Sequence, residues 1–300
     1  MALYAKQSYE FFQSRKVNES KIRITDIDNS FISHSVLDII NKDCPFLVDS
    51  LVSLVENSGH DILNIMHPIL SVDRDGNGNL KNFSSIKGAA SGNLESIIQI
   101  HLKDKLDSEE KSKLKDNLKK TLSNIDIVVS DWHKIIDQVH DSQNQIFVEN
   151  ATQNLHEVKS FISWLVEKGF IFMGFIEFDY KKNRSGKYHL EESRTNPPLG
   201  VFRSKNSEFK PKVATNSTHE EISYSIENPY IIEILKSSYK SRIHRFVNAE
   251  RIRIQKFSHG KVIGEFRVIG LFTSSAYYQS PTSIPLIKNK INDVIEKSGY

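Results

Sequence analysis

The sequence predicts an α+β protein of two modules, a βαββαβ module followed by a mainly antiparallel α+β module. Three observations lead there. Alternating and helical-period segments succeed one another in the first half, and aromatic, alternating runs joined by short turns fill much of the second. At 300 residues the chain is also long enough for two domains of roughly 100–200 residues each. Hydrophobic residues at 38% and charged residues at 26% place it among folded globular chains.

The pattern begins at Ser35, so residues 1–34 are expected as an N-terminal arm. Residues 35–40 read as a short apolar strand. Asp43 then suits a helix cap, and Pro45 is tolerated in a first turn whose amides have no intrahelical partner. Leu47, Leu51, Leu54 and Val55 follow at helical spacing, and Gly59 closes the helix. Residues 62–72 resume a strand, with Pro68 pointing to an edge or a bulge. A turn at 73–79 and a polar, glycine-bearing loop at 80–93 lead to a third strand at 95–102, where Ile98 and Ile100 alternate with Gln99 and His101.

Asp107 and Glu110 form a capping-box pair before the stripe Leu114, Leu118, Leu122. Residues 125–129 are expected as the fourth strand, which completes the ferredoxin-like order. A further helix begins near Asp131, and the polar stretch 141–145 is the expected module boundary. An amphipathic helix with Leu155, Val158, Ile162, Leu165 and Val166 then ends at Gly169.

Residues 170–180 form an aromatic strand, 183–187 a hairpin turn and 188–190 the returning strand. Residues 193–221, rich in Ser, Asn, Lys and Pro, read as extended loop, and 229–239 as a helix. A hairpin of 251–257 and 262–272 turns at 258–260, and Pro285 opens a last helix with Gly299 past its end. The resulting plan is an arm at 1–34, a first module at 35–130, a helical connector at 131–169, an antiparallel module at 170–283 and a C-terminal helix at 284–300.

Charge and motifs exclude several functions. Forty basic residues against 37 acidic ones give a net +3, which offers no electrostatic argument for nucleic acid or an anionic membrane. No apolar run reaches the roughly 18 residues of a membrane span, the opening residues lack a signal-peptide core, and the single cysteine suits a reducing compartment. A cytoplasmic location is expected. None of the 13 glycines falls in the spacing that brings backbone amides up to a dinucleotide pyrophosphate; Gly76 and Gly78 come nearest, but Lys81 stands at the third position.

Asp73, Asp75, Asn77 and Gly78 mimic the first half of a calcium loop, yet Ser84 occupies the bidentate glutamate position, so a hairpin turn is expected. Cys44, in a helix first turn, reads as structural because no histidine can be assigned to it. The 11 histidines show no metal spacing, and the lysines from Lys111 to Lys120 ride on a helix whose other side is leucine. No catalytic or metal-binding residue is expected in the chain.

Asp43, Cys44, Pro45, Phe46, Leu47, Val48, Asp49 and Ser50 resemble the D-x-P-F-L-V-D-S signature of the large bacterial NAD-dependent glutamate dehydrogenases. His67 and Pro68, Arg74 to Gly76, Glu95 and Ser96, Asp131 and Trp132 recur in the order that family shows. Trp164 and Leu165, Phe172 to Gly174, Leu199 and Gly200, His244 and Arg245, Gly264 and Glu265, Gly270 to Thr273, and Ile284 to Leu286 extend the series.

The resemblance implies the N-terminal region of such an enzyme, with an ACT-like module followed by a PAS-like one and the catalytic domain elsewhere. It implies a regulatory and assembly role in oxidising L-glutamate with NAD to 2-oxoglutarate and ammonia, without a cofactor bound in this chain. Its partners would be the catalytic part, in cis or in trans, a second copy through an exposed sheet edge, and an amino-acid effector. An effector would meet free amides at the start of the helix after Asp43, with Asp43 and Asp49 holding its amino group.

Other readings are one piece of a split dehydrogenase, a stranded remnant, and an ACT module acting on a different partner. An RNA-binding module would need stacking aromatics on the central strand, and residues 95–102 contain none.

Overall fold

The computed structural model describes residues 2–28, 33–85, 93–146, 154–204 and 216–298. It divides into two compact units, one of Met1–Asp126 with Arg242–Phe246, the other of Ile127–Ser241 with Val247–Tyr300. Both are α+β with antiparallel sheets.

In the first unit the elements are α1 (Ala2–Phe12), β1 (Lys21–Asp28), β2 (Ser33–Lys42), α2 (Leu47–Asn57), β3 (Ile62–Met66), β4 (Ile69–Arg74), β5 (Leu80–Ser85), β6 (Asn93–Leu102) and the first part of α3 (Ser108–Asn144). The sheet order is β1-β2-β6-β4-β5, with β3 also on β6. One face of β2 and β6 sets Leu37 against Ile100 and Ile39 against Ile98, all fully buried. The apolar stripes of α2 (Leu47, Leu51, Leu54, Val55) and α3 (Leu114, Leu118, Leu122) are buried within the same unit. On the opposite face Phe12 of α1 packs with Ile40 and Val72.

Several expectations are corrected here. Residues 1–34 are not a bare arm, because α1 and β1 lie within them and β1 pairs along its whole length with β2. The anticipated fourth strand at 125–129 is helix: Ile125 and Val128 continue the buried stripe of Leu118 and Leu122, and α3 runs unbroken through the 141–144 stretch anticipated as a boundary. Helical period thus outweighs the β-branched composition of that segment, and β1 supplies the edge strand beside β2 from upstream.

Residues 62–72 break into β3 and β4 at His67 and Pro68, and both pieces pair with β6. Pro68 has no N–H to donate to a ladder, so the break falls there. The expected loop at 80–93 begins with β5, which pairs with β4; its glycine-bearing part, 86–92, lies outside the described residues. The turn before it closes on Asp75, whose carboxylate accepts hydrogen bonds from the Asn77 and Asn79 amides.

In the second unit the rest of α3 is followed by α4 (Leu155–Trp164), a π-helical turn (Leu165–Gly169), β7 (Phe170–Lys182), β8 (Tyr188–Glu192), β9 (Leu199–Gly200), α5 (His219–Glu227), β10 (Ile232–Lys240), β11 (Asn248–Ser258), β12 (Lys261–Phe272), α6 (Ser274–Tyr278) and α7 (Ile287–Ser298). Its sheet runs β10-β11-β12-β7-β8, with β9 also on β7. Phe161 and Ile162 of α4 share a core with Phe175, Ile252, Ile254, Phe266 and Val268.

Two assignments differ in this unit. The helix expected at 229–239 is β10, whose Ile232 and Ile234 alternate in register with Ile254 and Ile252. Within the expected loop at 193–221 a helix begins, because Thr218 and Glu221 form a reciprocal capping box. Residues 205–215 of that loop, and Gly299 beyond α7, lie outside the described residues.

Candidate functional site

The signature segment 43–50 links β2 to α2 in the first unit. Asp43 does not cap the helix. Phe46 does, in a left-handed conformation (φ 68°) with no side-chain cap, and its carbonyl accepts from both the amide and the hydroxyl of Ser50. Ser50 is buried at 1% exposure, so that hydroxyl is a fixed part of the turn.

Asp43 is engaged by the sheet instead. Its carboxylate accepts the Ser96 hydroxyl proton at 2.6 Å, and His67 Nε2 lies 2.8 Å from the same hydroxyl oxygen. With the single serine proton directed at Asp43, the imidazole is left to donate, so His67 does not stand as a base toward Ser96. This chain of three side chains ties the end of β2, the β3–β4 break and β6 together.

The neighbouring residue, Glu95, points to the opposite face of the strand. There Arg15 (Nε 3.0 Å, a terminal nitrogen 2.8 Å) and Arg74 (2.9 and 2.8 Å) close on its two oxygens. Burial pushes the Glu95 carboxyl up, and the hydrogen bonds and charges of Arg74 and Arg15 outweigh it, leaving the group below the ordinary glutamate value.

Asp49, in the first turn of α2, meets His244 Nδ1 at 2.9 Å; the His244 amide donates to Ser50 Oγ at 2.8 Å, and the Phe246 amide to Ser53 Oγ at 3.0 Å. The Phe46 ring packs edge-on against His244. Beside this contact an open depression of about 390 Å³ is lined by Asp49, Ser53, Glu56, His244 and Arg245. The two anticipated effector ligands are therefore held by different elements: Asp43 by β6, Asp49 by the 242–246 segment. Cys44, next to Asp43, has its thiol pushed up to about 11, first by burial and then by the charges of Asp43 and Asp126, the reverse of an activated thiol.

The second unit holds a buried ion cluster that the sequence reading did not single out. Glu265, fully buried, accepts from Arg253 (3.1 and 2.9 Å), from Arg267 and from the Tyr180 hydroxyl (2.7 Å). Arg253 also reaches Glu233 at 2.9 Å. Arg251, Arg253, Glu265 and Arg267 occupy one face of a strand pair, as the β11–β12 register shows; alternation in the sequence marks that shared face but not its burial. Separately, Asp131 accepts from the Gly200 amide at 2.9 Å and from Arg203, joining two motif positions, Asp131 and Gly200.

Among the described residues no helix is long and apolar enough to cross a membrane. Residues 1–118 match the family described as glutamate dehydrogenase, ACT1 domain. Over 302 aligned residues the chain is 26% identical to the NAD-specific glutamate dehydrogenase of Halomonas elongata, covering 97% of this chain and 18% of that protein. The enzyme of the same name from Pseudomonas aeruginosa is 26% identical over 277 residues, covering 89% of this chain and 17% of its own length. The chain thus spans less than a fifth of the length of these relatives. Residues 1–118 are thus similar to the glutamate dehydrogenase ACT1 domain family, within a chain similar to NAD-specific glutamate dehydrogenases along nearly its whole length.

Proposed function

We propose that this chain is a regulatory and assembly segment of an NAD-dependent glutamate dehydrogenase, working in the cytoplasm with a catalytic part supplied in cis or in trans. The whole enzyme would convert L-glutamate and NAD to 2-oxoglutarate, ammonia and NADH, with the coenzyme held outside this chain. One observation carries the reading: the polar residues of the signature positions are committed to holding backbone together, Asp43 with Ser96 and His67, and Glu95 with Arg15 and Arg74. The ACT1 match and the two relatives supply the family context. The second unit is read as a PAS-like module on its antiparallel sheet with flanking helices.

An effector role centres on Asp49, whose side chain is 60% exposed at the rim of the depression beside α2. An amino group is the chemistry that carboxylate would take, in place of the His244 imidazole.

The test uses the purified chain and the Pseudomonas aeruginosa relative shortened by the residues that align with it. The chain alone is expected to form no NADH from glutamate and NAD, and to bind the shortened relative and raise its rate. NADH formation by the chain itself, or indifference of the shortened relative to its addition, overturns the proposal.

A further inference from the structure

We propose that the second unit carries a binding site for a small carboxylate with an aromatic or apolar body, in the cavity beside the carboxyl end of β7, the β11–β12 turn and the end of α5. The cavity measures about 680 Å³, within the roughly 300–1,000 Å³ of small-molecule pockets. Its walls are apolar: Val262 is buried, and Ile226, Pro229 and the rings of Tyr180 and Tyr188 complete the lining. Tyr180 gives its hydroxyl to Glu265, so what it offers a ligand is ring surface.

The polar groups at the rim are unequal. The Asp179 carboxylate is engaged by Lys256 at 3.0 Å, an ammonium it shares with Glu177. Lys181 and Lys261 are exposed, line the same cavity and have no ion pair among the described residues. An apolar recess under two ammonium groups selects an amphipathic monoanion: the body leaves water against the side-chain carbons and the carboxylate stays at the solvated mouth. A cation of the same body loses the rim contact, and a carboxylate without a body loses the recess. This site shares no residue with the depression at Asp49 and stands independently of the effector role argued there.

Calorimetric titration of the full chain with 3-phenylpropionate tests the assignment, with 3-phenylpropylamine and acetate as comparison ligands. The wild-type chain is expected to bind 3-phenylpropionate in preference to both. Lys181→Glu with Lys261→Glu is expected to weaken binding roughly tenfold or more, whereas Lys113→Glu with Lys119→Glu, the same change in net charge placed in the first unit, leaves it unchanged. The methyl ester of the ligand gives a second reading on the unaltered protein and is expected to bind as weakly as the amine. No binding of 3-phenylpropionate, equal weakening by the two double variants, no weakening by the first, or an ester that binds like the acid overturns the proposal.

Discussion

The Ser96 hydroxyl donates to the Asp43 carboxylate at 2.6 Å, joining two residues 53 positions apart. Neither residue explains its place in the signature from its neighbours in the chain. Together with His67 they close the corner where β2 hands over to α2.

Ser96→Ala removes the donor from a half-buried carboxylate and the acceptor from a half-buried imidazole. The expected loss is about 0.5–1.5 kcal/mol, the net worth of an intramolecular hydrogen bond between partly exposed groups. Urea unfolding of the variant against wild type measures it; a difference of only a few tenths would show that the corner does not depend on this contact.

Glu95 lies between two guanidinium groups with its own side chain 2% exposed. Glu95→Gln is expected to cost about 3–5 kcal/mol, because two buried cations lose their counter-charge. Its carboxyl is held below the ordinary value of 4.5, so the charge contributes stability that is complete above that pH and is lost as pH falls through the depressed folded value. Unfolding curves for wild type and variant are expected to differ by a constant amount at neutral pH and to converge in acid. A gap that persists unchanged into strong acid contradicts the pairing.

Gly78 has a φ of 87°, and a Cβ there would stand 2.2 Å from the Arg15 carbonyl oxygen, while Gly76 in the same turn has open space around it. Gly78→Ala is expected to cost more than about 1 kcal/mol and Gly76→Ala far less. Thermal melts of the two variants side by side decide the matter, and equal losses would refute the close approach.

Cys44, with its thiol pushed up to about 11, carries about a hundredfold less thiolate at pH 8 than an ordinary cysteine with the reference value of 9.0. Iodoacetamide should label the folded chain about a hundredfold more slowly than glutathione-like free thiols, and the rate should keep rising beyond pH 9. Rapid labelling with a plateau near neutrality would disprove the burial and charge argument.

Glu265→Gln tests the cluster of the second unit. Arg253 and Arg267 share the buried Glu265 carboxylate, so a loss of about 3–5 kcal/mol is expected, against about 1 kcal/mol for Tyr180→Phe, which removes a single hydrogen bond. Urea midpoints of the two variants should fall in that order.

Much of the fold was legible because local periods record one-sided burial. The capping pair Asp107 and Glu110 forms as written, each side chain meeting the other's amide at 2.8 Å. The aromatic strand, its turn at 183–187 and the hairpin of β11 and β12 also stand where alternation and turn residues put them. Misreadings fell where composition and period disagreed: Ile125, Val128 and Val129 are strand-forming residues at helical spacing, and 232–240 is a strand with few purely apolar positions. Nor could alternation reveal that Arg253, Glu265 and Arg267 are buried, since charges on a strand ordinarily mark the wet face.

By itself the sequence determined the α+β class, the two-module scale, the positions of most helices and hairpins, and the ordered motifs that carry the glutamate dehydrogenase resemblance. Only the tertiary structure decided which strand flanks β2, that Phe46 rather than Asp43 begins α2, and that Asp43 turns to Ser96 while Asp49 turns to His244. The reason is the range of the forces involved: period and capping act within a few residues, whereas the partner of a buried charge or hydroxyl is chosen by whichever distant segment packing brings within about 3 Å of it.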